Sequence, residues 1–131
     1  MGKGLAARGA QQSKQQAPHY YLSVDVDMTE AVAFIDRANA SLGEEGRITI
    51  NDIVVLATSR ALLKHPRFNA WLEGDTLKLH AQVNMGVAVS LQEGLLVVTV
   101  RDAARKGLQQ ISAEVRDLAR RAREGRLQPD E

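Results

Sequence analysis

Gly94-Leu95-Leu96-Val97-Val98-Thr99-Val100-Arg101-Asp102-Ala103 is the stretch on which the fold turns. From Leu95 to Val100 it is apolar except for Thr99, and a charged pair follows at Arg101-Asp102. A run this short and this rich in valine predicts a strand. Near-continuous apolar character predicts cover on both of its faces. Upstream, Val83, Met85, Val87 and Val89 recur at every second residue, and Gln92-Glu93-Gly94 reads as a turn. Together these predict a central hairpin. Downstream, Leu108, Ile111, Val115, Leu118 and Ala122 fall at helical spacing, with Arg116, Asp117, Arg120 and Arg123 on the other side and Gly125 as the stop.

Moving outward toward the N-terminus, Phe68 to His80 reads as a second hairpin turning at Gly74-Asp75. Thr49-Ile50-Asn51-Asp52 is a capping-box variant that opens a helix running to about Lys64, which Pro66 ends. Ile50, Ile53, Val54, Ala57, Ala61 and Leu62 share one face of it, and Val55, Leu56 and Leu63 widen the apolar surface. Such a helix is expected to be buried on more than one side. An earlier helix carries Val32, Phe34, Ile35 and Ala38 and is capped by Thr29 or Asp27. Before it, Leu22, Val24, Val26 and Met28 alternate with Ser23, Asp25 and Asp27, which predicts a strand with one buried face. One of Tyr20 and Tyr21 is then expected to point into the core. Residues 1–17, rich in Gly, Gln and Lys, read as a mobile arm with a short helix near Leu5–Lys14. The order of strand, helix, helix, strands, helix predicts an α+β or open α/β fold, a mixed sheet with helices packed on it.

Composition excludes more than it selects. The chain has 131 residues, a net charge of +1 and no cysteine. That length is one domain or part of one. Near-neutral charge gives no reason to expect nucleic acid or membrane as a partner. Without cysteine there are no disulfides, thiolate nucleophiles or cysteine zinc sites, which agrees with a reducing compartment. No apolar run is long enough to span a bilayer and no secretion signal is seen, so the expected location is the cytoplasm.

Six segments resemble the catalytic domain of the dihydrolipoamide acyltransferases of 2-oxoacid dehydrogenase complexes. They are Ser13-Lys14 with Pro18-His19-Tyr20-Tyr21-Leu22-x-Val24-Asp25-Val26-Asp27; Thr49-x-Asn51-Asp52; Pro66-x-Phe68-Asn69-Ala70; Asn84-x-Gly86-Val87-Ala88-Val89; Gly94 to Ala103; and Lys106-Gly107-Leu108 with the amphipathic run to Pro129. Each alone is weak; six in order are specific. The resemblance implies a chloramphenicol acetyltransferase-like, CoA-dependent fold. It also implies acyl transfer between a dihydrolipoyl group and coenzyme A, with a histidine as general base on the thiol. In the family that histidine sits in a D-H-R-x-x-D-G motif, which this sequence does not contain. Residues 18–131 are therefore expected to be the N-terminal portion of the domain, without catalytic residues of its own and inactive alone. Two sites depart from the family pattern: Val98 stands where it usually has Pro, and Gly9-Ala10 where it often has Arg and Met.

The resemblance places His19, Tyr20 and Tyr21 as substrate-channel candidates, although a packing or interface role is the plainer reading of His19. His65, at a helix end, suits the helix dipole better than catalysis, since Asn69 four residues on cannot supply the carboxylate of an H-x-x-x-D pair. His80 reads as a surface residue. Asp25 and Asp27 are read as exposed strand carboxylates, and no metal or resident cofactor is expected. The arginines at 116, 120, 121, 123 and 126 are interleaved with Glu114, Asp117 and Glu124 and read as a solvated face rather than an anion or RNA site. Expected partners are further copies of the chain, as in the family trimer, or the missing acyltransferase half, and components of the dehydrogenase complex. Without that half, Leu95–Val100 is expected to present a poorly covered surface. The alternative function is a non-catalytic module that docks on a complete acyltransferase or pairs with a separately encoded second half.

Overall fold

The computed structural model describes residues 14–15, 18–92 and 94–128. Among the described residues, the α-helices beyond residues 14–15 are α1 Thr29–Ser41, α2 Ile50–Lys64 and α3 Leu108–Arg123. Among the described residues the strands are β1 Ala70–Glu73, β2 Thr76–Leu79, β3 Met85–Leu91 and β4 Gly94–Val100. The class is α+β. Among the described residues the strands form two separate antiparallel hairpins, β1-β2 and β3-β4, rather than one mixed sheet. The expected arm helix falls almost wholly outside the described residues, of which only Lys14 and Gln15 are seen as helical. Gly9, Ala10 and the end of the resemblance at Pro129 also lie outside them.

The core is built between β3-β4 and two helices. Val87, Val89, Val98 and Val100 point inward from the hairpin and meet Ile111, Leu118 and Ala122 of α3 and Val55 of α2. The register pairs Met85 with Val100 and Leu91 with Gly94, so inward residues of both strands fall on one face. Gly94, at φ +127°, closes the turn in a conformation that L side chains rarely adopt. Val98, the departure from the family's proline, is fully buried. Helix α3 buries the stripe that its spacing predicts. Its end is a Schellman motif: Gly125 at φ +70° donates to the Ala122 carbonyl and Arg126 donates to that of Arg121.

The cap of α2 is as expected. The Asp52 amide donates to Thr49 Oγ1 at 3.3 Å and the Thr49 amide donates to Asp52 Oδ2 at 2.8 Å. Its buried face is not as expected. Asp52, Val55 and Ser59 are buried, while Ile50, Val54 and Leu63 are exposed. The polar members are tolerated inside because each is satisfied, Ser59 Oγ donating to the Leu56 carbonyl at 2.8 Å. The second apolar face of α2 has no layer over it among the described residues. Helix α1 buries Ile35 and leaves Val32 and Phe34 exposed. Asn39 ties α1 to the next segment: its side chain accepts from the Ile48 amide and donates to the Ile48 carbonyl. Ser112 donates to the Arg47 carbonyl at 2.7 Å, joining α3 to the same segment.

Two further expectations about strands are corrected. Residues 18–28 belong to neither sheet, and Leu22, Val24 and Val26 are exposed. The alternation is real, but no strand among the described residues pairs with it. On β4, Leu95 and Val97 face solvent, so the strand is covered on one side only. Among the described residues the outer face of β4 is thus the poorly covered surface that the sequence led one to expect.

Candidate functional site

The three channel candidates sit together at the start of the extended segment. His19, Tyr20 and Tyr21 are all exposed, the tyrosines at 78% and 79%, so neither tyrosine enters the core. As for Leu22 and Val24, no helix or strand among the described residues buries the two tyrosines. At its other end Asp27 holds the first residue of α1, whose N-cap position is Met28 with no side-chain cap, rather than Thr29 or Asp27 as expected. Its Oδ1 accepts from the Thr29 hydroxyl at 2.7 Å and the Thr29 amide at 2.9 Å. Those two hydrogen bonds, the hydroxyl first, hold the Asp27 carboxyl below the usual range. The carboxylate thus has a structural task, and among the described residues no cluster of His, Asp and Glu is arranged to hold a metal.

The other two histidines are placed by packing. His65 caps the C-terminus of α2, its amide donating to the Ala61 carbonyl, and its ring meets Phe68 edge-on at 6.5 Å. His80 packs against Trp71 with ring centroids 4.9 Å apart. Asn69 serves neither ring as a catalytic partner. Its side-chain amide donates to the carbonyls of His80 and Gln82, both at 2.9 Å, and its own carbonyl accepts from the His80 amide. These bonds fasten the root of the β1-β2 hairpin.

Beside that root lies an open cleft of about 520 Å³, lined among others by Asn69, Trp71, His80, Gln82, Asn84 and Thr99. None of the three channel candidates lines it. Asn84 also accepts from the Asp102 amide at 2.9 Å, holding Asp102 in a left-handed turn at φ +45°. Asp102 reaches Arg105 at 3.5 Å, an i,i+3 pair within the turn. The sequence offered one signal for this cleft, the asparagines of the Pro66–Ala70 and Asn84–Val89 segments, but not that they face each other across two hairpins.

A second cleft, lined by Arg120, Arg121, Arg126, Leu127 and Gln128, is basic only in composition. Asp117 pairs with Arg120 and, at 2.7 Å, with Arg121, while Glu124 pairs with Arg126. The hydrogen bond from Arg120, then that from Arg121, lowers the Asp117 carboxyl. The carboxylates neutralise the arginines locally, as expected of a solvated helix face.

Residues 4–131 match the family model of the 2-oxoacid dehydrogenases acyltransferase catalytic domain. The chain belongs to this family. The acyltransferase domain of this chain is 39% identical to the dihydrolipoyllysine-residue acetyltransferase component of the pyruvate dehydrogenase complex of Zymomonas mobilis, over 97% of the chain but 29% of that relative. It is 42% identical to component 3 of the mitochondrial complex of Arabidopsis thaliana, over 91% of the chain and 22% of the relative. Among solved structures it superposes on the dihydrolipoamide acetyltransferase of Azotobacter vinelandii with a TM-score of 0.89 at 31% identity, covering 97% of this chain and 54% of that one. On the truncated catalytic core from Thermoplasma acidophilum the TM-score is 0.87 at 33% identity, covering 98% and 60%. This chain thus spans under a third of these curated relatives and little more than half of the solved cores. Its relatives are components of multienzyme complexes from bacteria and mitochondria. Among the described residues no helix is long and apolar enough to cross a membrane.

Proposed function

We propose that this chain is the N-terminal portion of an acyltransferase catalytic domain, which when complete moves an acyl group between a dihydrolipoyl group and coenzyme A. One observation carries the reading. The chain reproduces 54% of the Azotobacter chain at a TM-score of 0.89, while whole apolar faces stay uncovered. It has one wall of a domain, and that wall is well formed.

The chain is not expected to catalyse transfer alone. A general base must reach the thiol proton at about 3 Å and be held there by a third group. His65 and His80 are held by Phe68 and Trp71, which offer no carboxylate. The D-H-R-x-x-D-G motif is absent from the sequence. In the completed domain His19, Tyr20 and Tyr21 line the substrate channel, and coenzyme A and the lipoyl arm are its substrates rather than resident cofactors. The partners are the other components of a dehydrogenase complex and further copies of the domain, and the compartment is the cytoplasm.

The test is an acetyl-CoA to dihydrolipoamide transfer assay on the purified chain. Turnover at the uncatalysed background is the expected result. Measurable transfer that His19→Ala abolishes overturns the reading and makes this a minimal acyltransferase. The bare surfaces also favour a second reading, a non-catalytic module that docks on a complete acyltransferase. Binding to a complete acyltransferase core without any change in its turnover is the outcome that selects it.

A further inference from the structure

We propose that the cleft at the root of the β1-β2 hairpin is a binding site for an uncharged secondary amide. The proposal stands on the cleft alone and is independent of the acyltransferase reading above. The cleft holds about 520 Å³, the size of a small-molecule site. No carboxylate, ammonium or guanidinium lines it. A charged ligand would lose water there without gaining a partner of opposite sign. The occupant is therefore neutral.

Two asparagines set what that occupant must carry. Both hydrogens of the Asn69 side-chain amide are committed, to the carbonyls of His80 and Gln82 at 2.9 Å each. Both partners are acceptors, so the nitrogen must face them, and Oδ1 is the end left over. Asn84 is fixed the other way round. Its Oδ1 accepts from the Asp102 amide at 2.9 Å, which leaves the Nδ2 hydrogens over. Among the described residues neither remaining end has a partner. The cleft thus carries one fixed acceptor and one fixed donor, each oriented in advance by backbone groups. A secondary amide is the complement: its N–H donates to Asn69 Oδ1 and its C=O accepts from Asn84 Nδ2. A hydroxyl donates or accepts as it turns, so a sugar has no need of a fixed pair.

Trp71 and Gly86 supply the apolar side. Trp71 is 66% exposed, and His80 packs against it at 4.9 Å, so the rest of the indole is a surface for the carbons that flank the amide. Gly86 lines the cleft without a side chain. A Cβ there would approach Val97 Cγ1 to 3.0 Å, so this part of the wall stays bare. Amides of this kind come from two sources, N-acylated small molecules and the peptide units of another chain.

The experiment titrates the full chain and follows the emission of Trp71, its single tryptophan. The probes are N-methylbutanamide, a free secondary amide, and N-acetyl-alanyl-alanine methylamide, a run of peptide units. Methyl butanoate, which lacks the N–H, and glucose, which lacks the amide, are the controls. Both amides are expected to shift the emission saturably, the ester to bind about tenfold more weakly and glucose to leave the emission unchanged. Asn84→Asp keeps the acceptor for the Asp102 amide and loses the donor. It is expected to weaken amide binding about tenfold with the circular dichroism unchanged. Tighter binding of the peptide probe names a peptide segment as the source, and tighter binding of the butanamide names an N-acylated small molecule; both support amide recognition. Saturation by neither amide overturns the proposal. So does ester or glucose binding as tight as that of the amides, or unchanged amide binding by a folded Asn84→Asp chain. Should Asn84→Asp lose its circular dichroism, Trp71→Leu read by calorimetry takes its place. A loss of about tenfold supports the site, and unchanged affinity overturns it.

Discussion

Strand β4 and the segment 19–27 have the same ingredients and opposite fates. Val98 and Val100 are 0% exposed, while Leu22 and Val24 are 82% and 83% exposed. Both stretches are valine-rich, and both put apolar residues at alternate positions. Strand β4 has β3 beside it and α2 and α3 beneath it. Among the described residues, no strand pairs with Leu22 or Val24 and no helix buries them. Periodicity therefore reports which residues share a face, but burial is a property of the pair of layers, and a single chain need not hold both.

The sharpest way to break this comparison is truncation on each side of it. Ile111→Ala, at the centre of the buried cluster, is expected to cost about 3 kcal/mol, seen as a lower urea midpoint with an unchanged slope. Val24→Ala is expected to move the same midpoint by less than about 0.5 kcal/mol. Equal losses would mean that residues 19–27 are packed in solution. The next effect is at the start of α2. Asp52→Ala removes half of the capping box and is expected to cost roughly 1 to 2 kcal/mol, measured in the same unfolding experiment. A smaller loss falls on the hairpin root. Asn69→Ala removes two donations to carbonyls and is expected to cost about 1 kcal/mol. Trp71, the single tryptophan, should report it by a shift of its emission toward that of free tryptophan.

The smallest effect is in acid. Asp27 and Asp117 have carboxyls lowered in the folded chain, Asp27 by Thr29 and Asp117 by Arg120 and Arg121. A depressed folded pKa contributes stability that is present above the unfolded value, about 4, and is lost as the pH falls through the folded value. Helical circular dichroism should hold from pH 7 to about 4 and decline below it. A decline that begins near neutrality would mean that these two carboxylates do not set the acid sensitivity.

How legible the fold was depended on how one-sided each element is. Helix α3 has arginines opposite its apolar stripe, and its face, start and glycine stop were readable. Helix α2 is apolar nearly all round, so spacing could not choose between its two faces. The choice fell to Asp52 and Ser59, whose burial depends on local hydrogen bonds to Thr49 and Leu56. Both hairpins were readable from their glycines. At the candidate site, His19, Tyr20 and Tyr21 were accessible only through resemblance, since their cover is absent from the described residues. The cleft at Asn69 was signalled only by its asparagines, and its shape was not readable, because they act on backbone groups of residues 11 to 18 positions away.

The clasp at Asn69 has a consequence for the connectivity of the chain. It binds the two feet of the β1-β2 hairpin together, while the tip at Gly74-Asp75 sits at the far end of two exposed strands. Each strand is therefore anchored at its foot rather than by the loop that joins them. Opening the backbone between Gly74 and Asp75 should leave both strands in place, which makes that peptide bond the natural position for a nick or for the new ends of a circularly permuted chain.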